Sequence, residues 1–158
     1  RYTVDEVWYS YPQGKSHVHQ RYRNRHGQVT DHHYESADCN YDMLSILSVA
    51  RSFQPNKFTV GQRLNFPMAT GEHVDTQTLI YKGKKQWKAN DGKTYRCLIF
   101  SLLDYESAKD KELLRFYVTD DLNHLPVRID FFLKFGTAKA FFKSGKGLRN
   151  PRTSIVKD

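Results

Sequence analysis

The stretch from Leu113 to Leu148, LLRFYVTDDLNHLPVRIDFFLKFGTAKAFFKSGKGL, constrains the fold more than any other part of the chain. Three segments rich in β-branched and aromatic residues lie between turn signals, the pattern of an antiparallel meander. Thr119-Asp120-Asp121-Leu122-Asn123-His124 is a polar loop whose Asp and Asn side chains can bond their own backbone. Pro126 heads the second segment, where a missing N–H does least harm to a ladder. Gly136 divides the second segment from the third, and Gly145 with Gly147 ends the third.

The chain upstream carries more strands and one change of period. Residues 2–11, 15–23 and 28–35 read as three strands, with turns at Pro12-Gln13-Gly14 and Asn24-Arg25-His26-Gly27. Their faces are unusually polar, which suits a solvated or cavity-facing sheet. From Asn40 to Ser52, apolar residues recur as Met43, Ile46, Leu47 and Ala50, the i, i+3, i+4, i+7 spacing of an amphipathic helix. Asp38 or Asn40 is expected to cap it, and Pro55 to stop it. Strands follow at 61–68, 73–81 and, after Gly83, 84–89; Asn90-Asp91-Gly92 is the strongest hairpin turn. Residues 93–103 carry bulk on both faces, which marks a central strand. Asp104 to Glu112 reads as a charged loop.

The fold expected is mainly β: an antiparallel meander sheet forming an open, curved half-barrel with one helix packed on it. A single β-rich domain spans residues 1–150, and residues 151–158 read as a polar tail. With 158 residues the chain can bury a real core, and no apolar run approaches the roughly 20 residues of a membrane span. It opens on Arg1 with no signal sequence, as a mature fragment or trimmed chain does. Net charge is +8, but the bases are scattered, so a solvated β surface is expected rather than a nucleic-acid partner. Cys39 and Cys97 are either a disulfide formed in an oxidising compartment or two buried free thiols.

Candidate chemistry is sparse. His17 and His19 share a strand face, and His32 and His33 lie in the next strand. A four-residue loop at Asn24–Gly27 sets His19 opposite His32, near enough to share zinc or copper; a two-residue turn puts Tyr34 there instead. Asp120 and Asp121 are adjacent on a strand end and point opposite ways, which suits a turn better than acid–base work. Cys97 lacks a signal for a thiolate-stabilising site. No serine elbow, phosphate-cradling loop or dinucleotide fingerprint occurs, so no catalytic residue and no cofactor is expected. Binding fares better. Met43, Leu44, Ile46 and Leu47 on the helix, with Phe131, Phe132, Phe135, Phe141 and Phe142 on the meander, either line a cavity or fill the core. Basic residues at such a rim suit an acyl chain with an anionic head, or an acidic glycan.

Four segments together resemble one family: Tyr41-Asp42-Met43-Leu44-Ser45, Gly92-Lys93-Thr94-Tyr95-Arg96-Cys97, Val118-Thr119-Asp120-Asp121 with His124-Leu125-Pro126-Val127, and Lys146-Gly147-Leu148-Arg149-Asn150-Pro151. It is domain-of-unknown-function family 3108, exported proteins largely of Bacteroides-type bacteria. The resemblance implies that this chain covers the family's C-terminal two-thirds and lacks its N-terminal strands. It further implies a periplasmic or envelope β-domain, a sandwich or half-barrel akin to lipoprotein carriers, with no site residue to carry over. The function expected is non-enzymatic binding or carriage of a lipid-like or glycan ligand. The alternatives are an assembly protein, such as a homodimer paired through sheet edges, and a metal-dependent enzyme built on His17, His19 and His32.

Overall fold

The computed structural model describes residues 2–37, 40–42, 45–52, 54, 57–69, 74–103 and 111–157. It is mainly β, with antiparallel sheets and, among the described residues, no closed barrel. The chain divides into two compact units, one of Arg1–Ile46 with Phe66–Thr76 and one of Leu47–Asn65 with Gln77–Asp158.

In the first unit, β1 (Val4–Ser10), β2 (Ser16–Arg23) and β3 (Val29–Ser36) form a three-stranded antiparallel sheet in that order. Along β2, Ser16, Val18 and Gln20 are buried while His17 and His19 are half-exposed. The polar composition therefore hides a normal period of two, with one buried face and one wet face. Pro12–Gly14 makes a single 3-10 turn, with Gln13 at φ 52° and Gly14 at φ 78°. The β2–β3 connection is held by the Asn24 side chain, whose Oδ1 accepts the N–H groups of His26 at 2.9 Å and Gln28 at 3.1 Å. It occupies five residues, 24–28, one more than expected, because Arg23 pairs with Val29.

The change of period at residue 40 yields α1 (Ser45–Ser52). Its cap is neither Asp38, which lies outside the described residues, nor Asn40, whose buried N–H donates to Ser16 Oγ at 2.8 Å. Asp42 takes that place. Its Oδ1 accepts the Ser45 N–H at 2.7 Å, and Ser45 Oγ accepts the Asp42 N–H at 2.8 Å, a reciprocal capping pair. A helix packed on the sheet is not supported. Of the apolar stripe only Ile46 is shown buried; Met43 and Leu44, and the side chains of Leu47 and Ala50, lie outside the described residues.

The larger sheet runs β4 (Arg63–Ala69), β5 (Val74–Lys88), β6 (Thr94–Leu103), β7 (Glu112–Thr119), β8 (Pro126–Leu133), β9 (Gly136–Phe141), with β10 (Ile155–Lys157) also paired to β6. The three expected strands of the meander are β7, β8 and β9, and Pro126 does head β8. Gly83 does not separate two strands. It sits at φ +96° within one 15-residue strand, where a bulge between Tyr81 and Gly83 takes up Lys82 as an extra residue. The Asn90-Asp91-Gly92 turn joins β5 to β6, with Gly92 at φ 87°. β6 is central as expected. Leu98, Phe100 and Leu102 are buried on one face, and Tyr95, Cys97, Ile99 and Ser101 on the other.

The segment expected as a polar tail includes a strand instead. β10 takes the edge of β6 at Tyr95, beyond Cys97, where the β7 pairing ends opposite Thr119. Asp121 anchors this return. One carboxylate oxygen accepts Thr119 Oγ1 at 2.9 Å and the Asn123 N–H at 3.0 Å; the other accepts the buried Ser154 Oγ at 2.6 Å. Asn123 adds a bond from its Nδ2 to the Asn150 carbonyl at 2.9 Å. Replacing Asp121 with Ala strands several of these donors, so a loss of roughly 2–3 kcal/mol in urea-induced unfolding is expected. A change below about 0.5 kcal/mol would show that this network is incidental.

Candidate functional site

The histidines assemble differently from the expected trio. His19 pairs with His33, and His32 pairs with Gln20, so alternation sends His32 to the face opposite His17 and His19. The extra loop residue is the cause, since a one-residue slip in register exchanges the two faces. On the wet face the rings instead form a row. Trp8 stacks on His19 at 4.7 Å, His19 on His33 at 4.2 Å, and His33 lies 5.8 Å from His17. Asp31 binds His19 Nε2 at 2.7 Å and Arg21 Nε at 3.0 Å. These bonds, the His19 one foremost, hold its exposed carboxyl below the usual range. Among the described residues, no group of three or more His, Cys, Asp or Glu is placed to hold a metal ion.

The phenylalanines do not converge. Phe131 pairs across with Leu114 and Ala138, whereas Phe141 pairs with Arg128, so the two lie on opposite faces of the meander. Phe135 sits in the β8–β9 turn at 91% exposure. Cys97 is a free, buried thiol, and Cys39 lies outside the described residues. Burial, with Asp120 and Asp121 nearby, pushes the Cys97 thiol up to about 12, so it stays protonated and unreactive at neutral pH. Asp120 and Asp121 diverge as expected. Asp120 turns to Arg96 Nε at 2.7 Å and Lys84 Nζ at 2.9 Å, while Asp121 serves the turn.

What the larger sheet brings together instead is a basic cleft of about 340 Å³, lined by Lys82, Lys84, Lys85, Ile99, Glu112, Arg115 and Tyr117. Its floor is one cross-strand row in which Gly83, Ile99 and Tyr117 pair in turn. Ile99 and Tyr117 are both buried, so the base is apolar and fixed. The rim carries four cations against one carboxylate, a net three positive charges. Glu112 Oε2 accepts Arg115 Nε at 2.9 Å and also Arg115 Nη2, and its Oε1 lies 3.3 Å from Lys82 Nζ. Burial alone would lower the Arg115 pKa, but its bonds to Glu112 and Tyr117 outweigh that and raise it. A second concavity, about 370 Å³ beside the β2–β3 hairpin, is lined by Tyr2, Arg23, Asn24, Arg25, His26 and Gly27, none of them buried. With a buried apolar floor and converging charge, the lysine cleft is the better-built site.

Next in the same cross-strand row, opposite Tyr117, is a further cation that sequence reasoning missed. Arg128 lies over the Trp87 ring at 4.1 Å and the Tyr117 ring at 4.8 Å. Its Nε and Nη2 bond the two Asp130 oxygens at 2.6 and 2.7 Å, with the Asp130 side chain only 4% exposed. The ion pair holds Arg128 against Tyr117 from the neighbouring strand. The spacing Arg128-Ile129-Asp130 is a usable signal, since residues two apart share a strand face.

A family model described as "Protein of unknown function (DUF3108)" matches residues 1–143. The chain belongs to this family. Because the match begins at residue 1, the expected restriction to the family's C-terminal two-thirds does not fit, and the Lys146–Pro151 segment lies beyond the matched residues. A restriction to Bacteroides-type bacteria does not follow from the match. No curated protein and no solved structure matched. Among the described residues, no helix is long and apolar enough to cross a membrane.

The rim charge has a testable pH dependence. Burial would raise the Asp120 carboxyl, but the bonds from Lys84 and Arg96 prevail and lower it. A folded-state pKa below the unfolded value, roughly 4, stabilises the fold above that pH and stops doing so as pH falls through the folded pKa. The stability gap between the parent and Asp120→Asn is therefore expected to be widest near neutrality and to close on acidification. A gap constant from pH 7 to about 3 in urea titrations contradicts the ion pairs.

Proposed function

We propose that this chain is a non-enzymatic binding domain, a carrier for an anionic lipid-like or glycan ligand in the cell envelope of the exporting bacterium. One observation carries the reading: the cleft joins a buried apolar floor, Ile99 and Tyr117, to a rim with a net three positive charges. An anionic head group is attracted to that rim, and an acyl chain or sugar ring covers the floor. In this reading the larger sheet serves as an open half-barrel like that of a lipoprotein carrier. No nucleophile–base pair accompanies the cleft among the described residues, and the thiol of Cys97 is buried in the apolar cluster beneath the floor. The row of stacked imidazoles on the smaller sheet does not furnish the metal-dependent alternative with its expected ligands.

The test is isothermal titration of the purified chain with an alkyl phosphate and with an acidic oligosaccharide. Binding that weakens as salt rises from about 0.05 to 0.5 M is expected, because rim charges are screened. Lys85→Ala with Arg115→Ala should weaken it by about tenfold or more while leaving the fold intact. Absence of heat with both ligands, together with no co-purifying lipid on solvent extraction, overturns the proposal.

Edge pairing is a second reading, and the outer edge of the meander favours it. β9 is exposed along its whole length, and Leu133, Phe135 and Phe141 stand exposed at or beside it. An uncovered edge of this kind templates pairing with another strand. On this reading, light scattering finds a dimer that Lys139→Pro converts to monomer. A parent chain that is monomeric at about 100 µM excludes edge pairing as its role.

A further inference from the structure

Glu112 stands where a bound anion would stand. Its carboxylate receives two nitrogens of Arg115 and approaches Lys82, and its side chain is only 17% exposed. Sequence separation is three residues, so the group is tethered beside Arg115 and never diffuses away. A tether of this length gives an effective concentration of roughly millimolar or more. An incoming carboxylate therefore exchanges like for like and competes against that concentration. It gains nothing from Arg115 and Lys82 that Glu112 does not already supply.

A dianion is in a different position. A phosphate monoester carries nearly two negative charges at neutral pH and presents three acceptor oxygens. It can take the bidentate fork of Arg115 and still engage the remaining rim lysines. Lys85 borders the cleft in a cross-strand row with Cys97 and Thr119, neither of which is a carboxylate. Lys84 is shared with Asp120 at 2.9 Å, so part of its field is already compensated. The surplus charge over and above Glu112 is what a dianion uses and a monoanion does not.

We infer that the cleft selects a phosphate monoester over a carboxylate, and that Glu112 sets this selectivity by occupying the anion seat until a dianion displaces it. The inference rests on the anion-binding reading above and narrows its ligand class. The phosphomonoester can belong to a soluble sugar phosphate or to a lipid head group.

Four probes separate these cases. Glucose 6-phosphate and glucuronate are the soluble pair, titrated calorimetrically. Vesicles containing phosphatidic acid and vesicles containing oleate are the lipid pair, followed by co-sedimentation. The parent chain is expected to prefer the phosphate member of at least one pair by about tenfold. Glu112→Gln is expected to tighten both members and shrink that preference to about threefold or less. Lys85→Met, which leaves Glu112 and Arg115 in place, should weaken the phosphate member while changing the carboxylate little. The pair that responds identifies the source of the phosphate. Equal binding of phosphate and carboxylate by the parent, or a preference that survives Glu112→Gln in a folded protein, overturns the inference while anion binding stands. No binding in any arm overturns both.

Discussion

Eight of the ten residues of β6 are buried, Tyr95 and the run from Cys97 through Leu103, with Thr94 and Arg96 half-exposed. Every backbone N–H and C=O of such a strand must find a partner within the protein. β5 provides one side, and β7 most of the other. The remaining stretch, at Thr94 and Tyr95, is completed by β10 and by the N–H of Arg96 bonding the Ser154 carbonyl at 2.7 Å. The C-terminal return, the Asp121 network that anchors it and the direction of Asp120 all follow from that requirement.

The same strand explains where a site can form. Ile99 and Tyr117 are part of the buried cluster with Tyr95, Cys97, Val127 and Ala89. The cleft is the point where this cluster comes to the surface beside the bulge at Lys82. The bulge takes up Lys82 as an extra residue; beyond it Lys85, opposite Cys97, shares the face of Ile99 and Tyr117, while Lys84, opposite Leu98, reaches the opening from the other face beside Asp120. Glu112 and Arg115 close it from β7. Arg128, clamped between Asp130 and the rings of Trp87 and Tyr117, extends the floor's row and stiffens it.

The smaller sheet has the solvated face that its polar residues suggested, and behind it a buried one: β2 alternates between Ser16, Val18, Gln20 inside and His17, His19 outside. Imidazoles on a wet strand face stack on one another and on Trp8, bury some ring surface and bond Asp31. That is a sufficient physical reason for their presence, and it needs no metal.

Much of the secondary structure was legible in the residues themselves. Turn chemistry at Pro12-Gln13-Gly14, at Asn90-Asp91-Gly92 and before Pro126 acts over two to four residues, so its outcome is local. The change of period near residue 40 announced α1, and bulk on both faces of residues 93–103 announced the central strand. What only the tertiary structure decided was register and partnership. A fifth loop residue moved His32 to the other face, a bulge merged two expected strands into β5, and an unsatisfied edge of β6 drew Ile155–Lys157 into the sheet. The basic cleft depends on all of these non-local pairings, because lysines of β5 meet Glu112 and Arg115 of β7 only once β6 lies between them. No window of sequence contains that meeting.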